Sequence, residues 1–156
     1  TSATMTNSAL WNGTTPTSSV FSVGTDAQTN ENGSGHVAYL WSEVAGFSKF
    51  GSYTGNGSTD GPFLFCGFQP KVLLIKSSSS GYDWFIFDDA RNTYNAVDLA
   101  LFHNASGAES GGSTYLIDFT SNGFKLRNTQ LNLNGSGNTY IFAAWAEFPA
   151  KYSLAR

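Results

Sequence analysis

His36-Val37-Ala38-Tyr39-Leu40-Trp41-Ser42-Glu43 and Tyr140-Ile141-Phe142-Ala143-Ala144-Trp145-Ala146-Glu147 are two versions of one pattern, with Ile141 standing 104 residues after Val37. Successive side chains of a strand point to opposite faces. In the first version Val37, Tyr39 and Trp41 share one face, and Ala38, Leu40 and Ser42 share the other. Both faces are largely apolar, which predicts a strand buried on both sides. Asn-Gly-Ser-Gly precedes each version, at 32–35 and 134–137, and Asn138 and Thr139 read as two extra residues in the second. Upstream, Val20-Phe21-Ser22-Val23 matches Gly123-Phe124-Lys125-Leu126. A self-similarity near one hundred residues is domain-sized, longer than a solenoid or propeller period. It predicts that residues 1–46 are the C-terminal part of a preceding repeat and that 47–156 form one complete β module. The recurrence of Trp41 and Trp145 beside Glu43 and Glu147 predicts a packing role for both indoles.

Outward from this pair, short apolar or alternating runs at 19–23, 47–53, 63–68, 71–76, 82–88, 99–102, 115–119, 124–127 and 139–148 read as strands. Leu73-Leu74-Ile75 and Trp84-Phe85-Ile86 are expected to lie side by side as antiparallel neighbours. Thr54-Gly55-Asn56-Gly57-Ser58-Thr59-Asp60-Gly61-Pro62 is a turn cluster, and Ser121-Asn122-Gly123 is a hairpin signal. Residues 25–35 read as loop, and 1–19 as an extended segment with one edge strand. No run of ten or more residues combines a 3.6 period with caps. The expectation is an all-β protein, a β-sandwich or jelly-roll-like pair of antiparallel sheets.

Composition narrows the function classes. The 156 residues hold thirteen Phe, seven Tyr and four Trp, enough apolar bulk for a substantial core. Charged residues are 12%, about half the usual share. Net charge is −3 and no basic block occurs, which argues against nucleic-acid binding. The single cysteine, Cys66, sits in an apolar run and reads as a buried small hydrophobe, with no internal disulfide available. The opening residues lack a signal-peptide pattern, and no stretch approaches a membrane span. Residues 149–156 read as a natural C-terminus.

Several residue groups invite a chemical reading. Asp88, Asp89 and Arg91 end an aromatic run, and can form either a polar ligand site or an ion pair that fixes a strand end. His36 and His103 stand apart, neither with ligands spaced for zinc, so no metal or cofactor is expected. Gly-x-Ser-x-Gly is missing, and Thr54-Gly55-Asn56-Gly57 lacks the following lysine of a phosphate loop. Trp11, Tyr94 and Tyr152 lie in polar surroundings and suit exposed stacking platforms. Asp83, Asp88, Asp89, Asp98, Glu109 and Asp118 supply acids from which a glycosidase pair could be drawn. The candidate ligand-binding set is Trp11, Asp88, Asp89, Arg91, Tyr94, His103 and Asn104, with no catalytic residue expected.

The ordered series Gly51-Ser52-Tyr53-Thr54-Gly55-Asn56-Gly57, Gly67-Phe68-Gln69-Pro70-Lys71-Val72-Leu73-Leu74-Ile75-Lys76, Trp84-Phe85-Ile86-Phe87-Asp88-Asp89-Ala90-Arg91, Ile117-Asp118-Phe119-Thr120-Ser121-Asn122-Gly123-Phe124-Lys125-Leu126, Asn134-Gly135-Ser136-Gly137 and 140–147 resembles a module of tailed bacteriophages. That module occurs, often in tandem, in tail-fibre and related virion proteins of marine and freshwater phages, cyanophages included. The resemblance covers 47–156, with an upstream piece like the end of a preceding copy. It implies a non-enzymatic virion protein engaged in host-surface attachment, binding a cell-surface glycan or protein through loops 54–62, 90–98 and 104–113. It also implies a homo-oligomer, most simply a trimer, in contact with other virion proteins, without nucleic acid or membrane insertion. The alternatives are a structural spacer or capsid-decorating protein and, third, a polysaccharide depolymerase.

Overall fold

In a computed structural model, which describes residues 8–148, the alternating apolar runs of the C-terminal part become two antiparallel sheets. Contact density divides the chain between Trp41 and Ser42 into two units. The C-terminal unit carries β1 (Ser48–Thr54), β2 (Phe63–Phe65), β3 (Val72–Ser77), β4 (Trp84–Asp88), β5 (Leu101–Phe102), β6 (Ile117–Thr120), β7 (Gly123–Leu126) and β8 (Thr139–Trp145). One sheet runs β1-β8-β3-β4-β5 and the other β2-β7-β6. The fold is therefore all-β and sandwich-like.

Strand β8 is the axis of the larger sheet. It pairs with β1 from Ser48↔Trp145 to Thr54↔Thr139, and with β3 from Val72↔Trp145 to Ser77↔Tyr140. The expected neighbours β3 and β4 pair with Leu74 opposite Ile86. β6 and β7 form a hairpin closed by Ser121 and Asn122, with Thr120 opposite Gly123.

Period-two alternation sends one side of each strand inward. Tyr140, Phe142 and Ala144 of β8, Leu73 and Ile75 of β3, and Phe85 and Phe87 of β4 meet Ile117, Phe119, Phe124 and Leu126 of the small sheet. Phe68, Val97, Ala100 and Leu133 fill the margins. Tyr53 stacks on Tyr140 at 5.0 Å between ring centroids, and Phe124 meets Phe142 edge-on at 5.1 Å. Such pairs contribute about 0.5–1.5 kcal/mol each beyond the area they bury.

The opposite face of the larger sheet is unusual. Register places Phe50, Ala143, Leu74, Ile86 and Leu101 in one row across all five strands. Each member is at least partly exposed, whereas a solvated sheet face is normally polar.

Asn134, fully buried, locks the turns at one end. Its Nδ2 donates to Asn128 O at 2.7 Å and to Ser58 O at 2.8 Å, and its Oδ1 accepts from the Asn56 N–H at 2.9 Å. Its own carbonyl accepts from Gly57 N at 2.7 Å. The 54–62 loop is thereby held to the approach to β8.

The N-terminal unit differs from expectation. Two single-turn helices, α1 (Ser8–Trp11) and α2 (Ala27–Asn30), occupy stretches read as extended or loop. α2 begins at Asp26, whose carboxylate accepts from Gln28 N at 2.9 Å, a short N-cap that the sequence reading missed. Neither 19–23 nor 36–43 forms a strand. Val37 and Tyr39 are 78% and 77% exposed, and Trp41 is 63% exposed where a core position was expected. The pattern was strand-like, but a strand also needs neighbouring backbone for its N–H and C=O groups.

The repeat nonetheless persists in hydrogen bonds. Thr29 N→Asp26 O and Asn30 N→Asp26 O match Leu133 N→Gln130 O and Asn134 N→Gln130 O. Asn30 Nδ2 donates to Gly24 O at 2.8 Å as Asn134 Nδ2 donates to Asn128 O. Ser34 N→Glu31 O matches Asn138 N→Gly135 O. Gly33 and Gly137 both take positive φ, 83° and 78°. All are separated by 104 residues, the spacing of the strand pattern itself. The two extra residues inferred from matching Asn-Gly-Ser-Gly motifs therefore do not exist; that motif match is out of step by two.

Gly123 provides a test of the packing. A Cβ there would collide with the carbonyl of Leu64 on paired strand β2, so no side chain fits. Gly123→Ala is expected to lower the unfolding free energy by about 1–3 kcal/mol. Urea unfolding with an unchanged midpoint would remove this account of β2–β7 packing.

Candidate ligand-binding loops

At the end of β4 the backbone must turn, and Asp88 caps that turn. Its Oδ1 accepts from Ala90 N at 3.1 Å and Arg91 N at 2.9 Å, while Oδ2 accepts from Arg91 Nε at 2.6 Å. Arg91 also donates from Nη1 to Glu109 at 2.5 Å and from Nη2 to Ile86 O at 3.4 Å. Burial raises the Asp88 pKa, but the hydrogen bonds from Arg91 outweigh it and hold the carboxyl below its ordinary range. For Arg91, burial opposes the charge, yet Glu109 and Asp88 push its pKa upward.

The ion pair between Arg91 and Glu109 joins loop 89–98 to loop 104–113. A second seam lies alongside. Asn92 Oδ1 accepts from Asp98 N and Leu99 N at 3.2 and 2.8 Å, and Asp98 Oδ2 accepts from Gly112 N and Ser113 N at 3.1 and 2.8 Å. Tyr94, between these anchors, is 85% exposed. The loop pair thus presents an aromatic ring on a fixed frame.

The other candidates separate from this frame. Asp89 pairs with Lys71 at 2.7 Å, and Lys71 also reaches Glu147 at 3.4 Å. The hydrogen bond that Lys71 donates to Asp89 is the chief cause of its raised pKa. Asn104 accepts from Trp84 N at 2.7 Å and donates to Asp83 at 2.8 Å, extending the β4–β5 ladder with its side chain. His103 donates its backbone N–H to Trp84 O at 3.1 Å and is exposed. Trp11 belongs to the N-terminal unit, is 52% exposed, and with Phe21, Val23, Val37, Tyr39 and Leu40 lines an apolar concavity of about 920 Å³. Tyr152 lies outside the described residues.

The acids considered for glycoside hydrolysis all have partners in the fold. Asp83 serves Asn104, Asp88 and Glu109 serve Arg91, Asp89 serves Lys71, Asp98 serves backbone amides, and Asp118 accepts from Arg127 Nε at 2.6 Å. Among the described residues, no three or more His, Cys, Asp or Glu gather as a metal cluster, and no helix is long and apolar enough to cross a membrane. Cys66 is buried as expected, which pushes its thiol pKa up to about 12. The sequence reading missed Asn92 as a clamp. Its only advance signal was an Asn six residues before Asp98 in an irregular polar stretch.

A family model described as a domain of unknown function (DUF7483) matches residues 1–149. The chain belongs to the DUF7483 family. The match takes in both units of this DUF7483 chain, including the N-terminal one. No curated protein and no solved structure matches it.

Two outcomes follow from the electrostatics. Asp88 titrates lower folded than unfolded, so its stabilisation is present above about pH 4 and lost as pH falls through the folded value. Asp88→Asn should loosen amides 90–91 at neutral pH by about 1 kcal/mol, as read by hydrogen exchange. Equal protection of these amides in the wild type and in Asp88→Asn at neutral pH would contradict the capping role. Cys66 should resist a thiol reagent at pH 8 until denaturant is added. Rapid labelling of the native chain would show that the site is open.

Proposed function

We propose that this chain is a module of a bacteriophage tail fibre or related virion appendage, acting in attachment to the host surface. The observation that carries the reading is Tyr94, exposed on two loops clamped together by Arg91–Glu109 and by Asp98. Binding residues concentrate on loops held by a rigid frame, and a preorganised loop loses less entropy when it binds. An aromatic ring set between Thr93 and Asn95 suits a sugar face or a polar patch of protein. The sequence resemblance over 47–156 supports the virion setting. The occupation of the acids by structural partners favours binding over hydrolysis. The apolar row Phe50, Ala143, Leu74, Ile86 and Leu101 supports a homo-oligomer, a trimer in the simplest case, that covers this face.

The test is binding of the full chain to immobilised bacterial surface polysaccharides and outer-surface protein. Tyr94→Ala should weaken binding about tenfold or more with an unchanged thermal midpoint. Binding unaffected by Tyr94→Ala removes the loop platform, and no binding at all removes the attachment reading. Light scattering should give a mass of three chains, and Ile141→Glu, on the same outward face, should lower it. A concentration-independent monomer would exclude the trimer.

A second reading is a structural spacer or capsid-decorating protein. The exposed apolar stretch at 37–40 favours it, because such a stretch suits assembly better than recognition of a hydrophilic ligand.

A further inference from the structure

We infer that the N-terminal unit is the closing third of an upstream β module, whose β1- to β6-type strands precede it in the same polypeptide. In that module residues 20–23 take the place of β7 and residues 36–41 the place of β8. The inference is independent of the attachment reading, since a receptor-binding fibre and a spacer could both be built this way.

The argument rests on bond-for-bond correspondence. Beyond the turn bonds described above, and one residue closer at a spacing of 103, Thr17 Oγ1 donates to Val20 O at 3.3 Å as Thr120 Oγ1 donates to Gly123 O at 2.9 Å, the tie that closes the β6–β7 hairpin. Thr17 N also donates to Val20 O at 2.8 Å. His36 Nε2 lies 3.3 Å from Ala27 O, as Tyr140 Oη lies 2.6 Å from Leu131 O. Imidazole thus stands where a phenol stands 104 residues later, with the carbonyl partner displaced by the same 104. A chance likeness of two apolar runs would not carry the side-chain tethers with it. The unit holds the scaffold that delivers β7 and β8, while the strands that should receive them lie elsewhere.

The correspondence also identifies the occupant. β8 is an interior strand, flanked by β1 on one side and β3 on the other. Its counterpart therefore needs two strands, and the faces follow from the register. Ala38 and Leu40 take the inward places of Phe142 and Ala144, while Val37 and Tyr39 take the outward places of Ile141 and Ala143. Large and small are exchanged on the inward face. Phe142 sits against Gly51, so the residue opposite Ala38 in the upstream β1 must be bulkier than glycine. A second copy of this chain is a poorer occupant, because its β1 and β3 already hold their own β8. The inward-facing lining of the apolar concavity, Phe21, Val23, Ala38 and Leu40, is the surface such an upstream half would cover.

The test begins with hydrogen exchange on the 156-residue chain, then repeats it on an extended chain in which a second copy of residues 42–119 is joined directly ahead of Thr17. Because Ala38 leaves space beside the copied Gly51, Ala38→Phe with Leu40→Ala is made in parallel. In the 156-residue chain, amides 37–40 should exchange near the intrinsic rate. In the extended chain, with or without the paired substitution, they should slow at least about a hundredfold, and Tyr39→Pro should abolish that protection while the transition of 48–145 stays put. Amides left unprotected in both extended chains, with the downstream module folded, overturn the inference. Protection already present in a monomeric 156-residue chain overturns it by locating the partner within the chain. Protection that appears only on self-association assigns the strand to a second copy and overturns it likewise.

Discussion

A strand in the middle of a sheet must satisfy its backbone on both sides, and β8 does so with β1 on one flank and β3 on the other. The rest of the module is arranged around that requirement. Tyr140 and Phe142 carry the core contacts to Tyr53 and Phe124. Asn134 holds the chain so that β8 enters at the correct height, and Gly51 leaves room for the Phe142 ring. Backbone pairing and aromatic packing are satisfied by the same seven residues, Thr139–Trp145.

The same sequence pattern, set 104 residues earlier, meets the opposite circumstance. Residues 36–41 have the alternation of β8 and the same turn before them, yet they form no strand and expose their apolar side chains. Alternation records what a segment suits. Strand formation depends on neighbours, and neighbours are a property of the tertiary structure. This is why the sandwich was legible from Leu73-Leu74-Ile75 and Trp84-Phe85-Ile86, whose partners lie within the chain, while 19–23 and 36–43 were read as strands they do not form. The motif Asn-Gly-Ser-Gly misled in a related way. Identical letters aligned at 32 and 134, whereas the conformational requirement, positive φ, falls at Gly33 and Gly137.

The loop surface was legible in kind and not in detail. Arg91 beside Asp88 and Asp89 announced an ion pair, and the fold divides the two acids between different cations, Arg91 and Lys71. Strand alternation accounts for the division, because adjacent residues leaving β4 point to opposite sides. Glu109 and Asn92 complete the clamp from positions no local pattern could connect. In a chain so poor in charge, nearly every acid that looked available for chemistry holds a loop or caps a backbone amide instead. The large apolar side chain that those loops leave outward is Tyr94.

The pairing of β1 with β8 has a consequence for synthesis. Ser48 and Trp145 lie opposite each other and 97 residues apart in the chain. At typical elongation rates the first strand of the sheet waits about 5–20 s on the ribosome before the last emerges. Until then the backbone of β1 on that side is open to whatever strand comes near. Sparse charge gives little electrostatic protection during the wait, and Gly51 and Ser52, which separate Phe50 from Tyr53 in β1, lower its tendency to pair indiscriminately. Vectorial emergence, more than equilibrium stability, is therefore the stage at which this topology is most exposed to error.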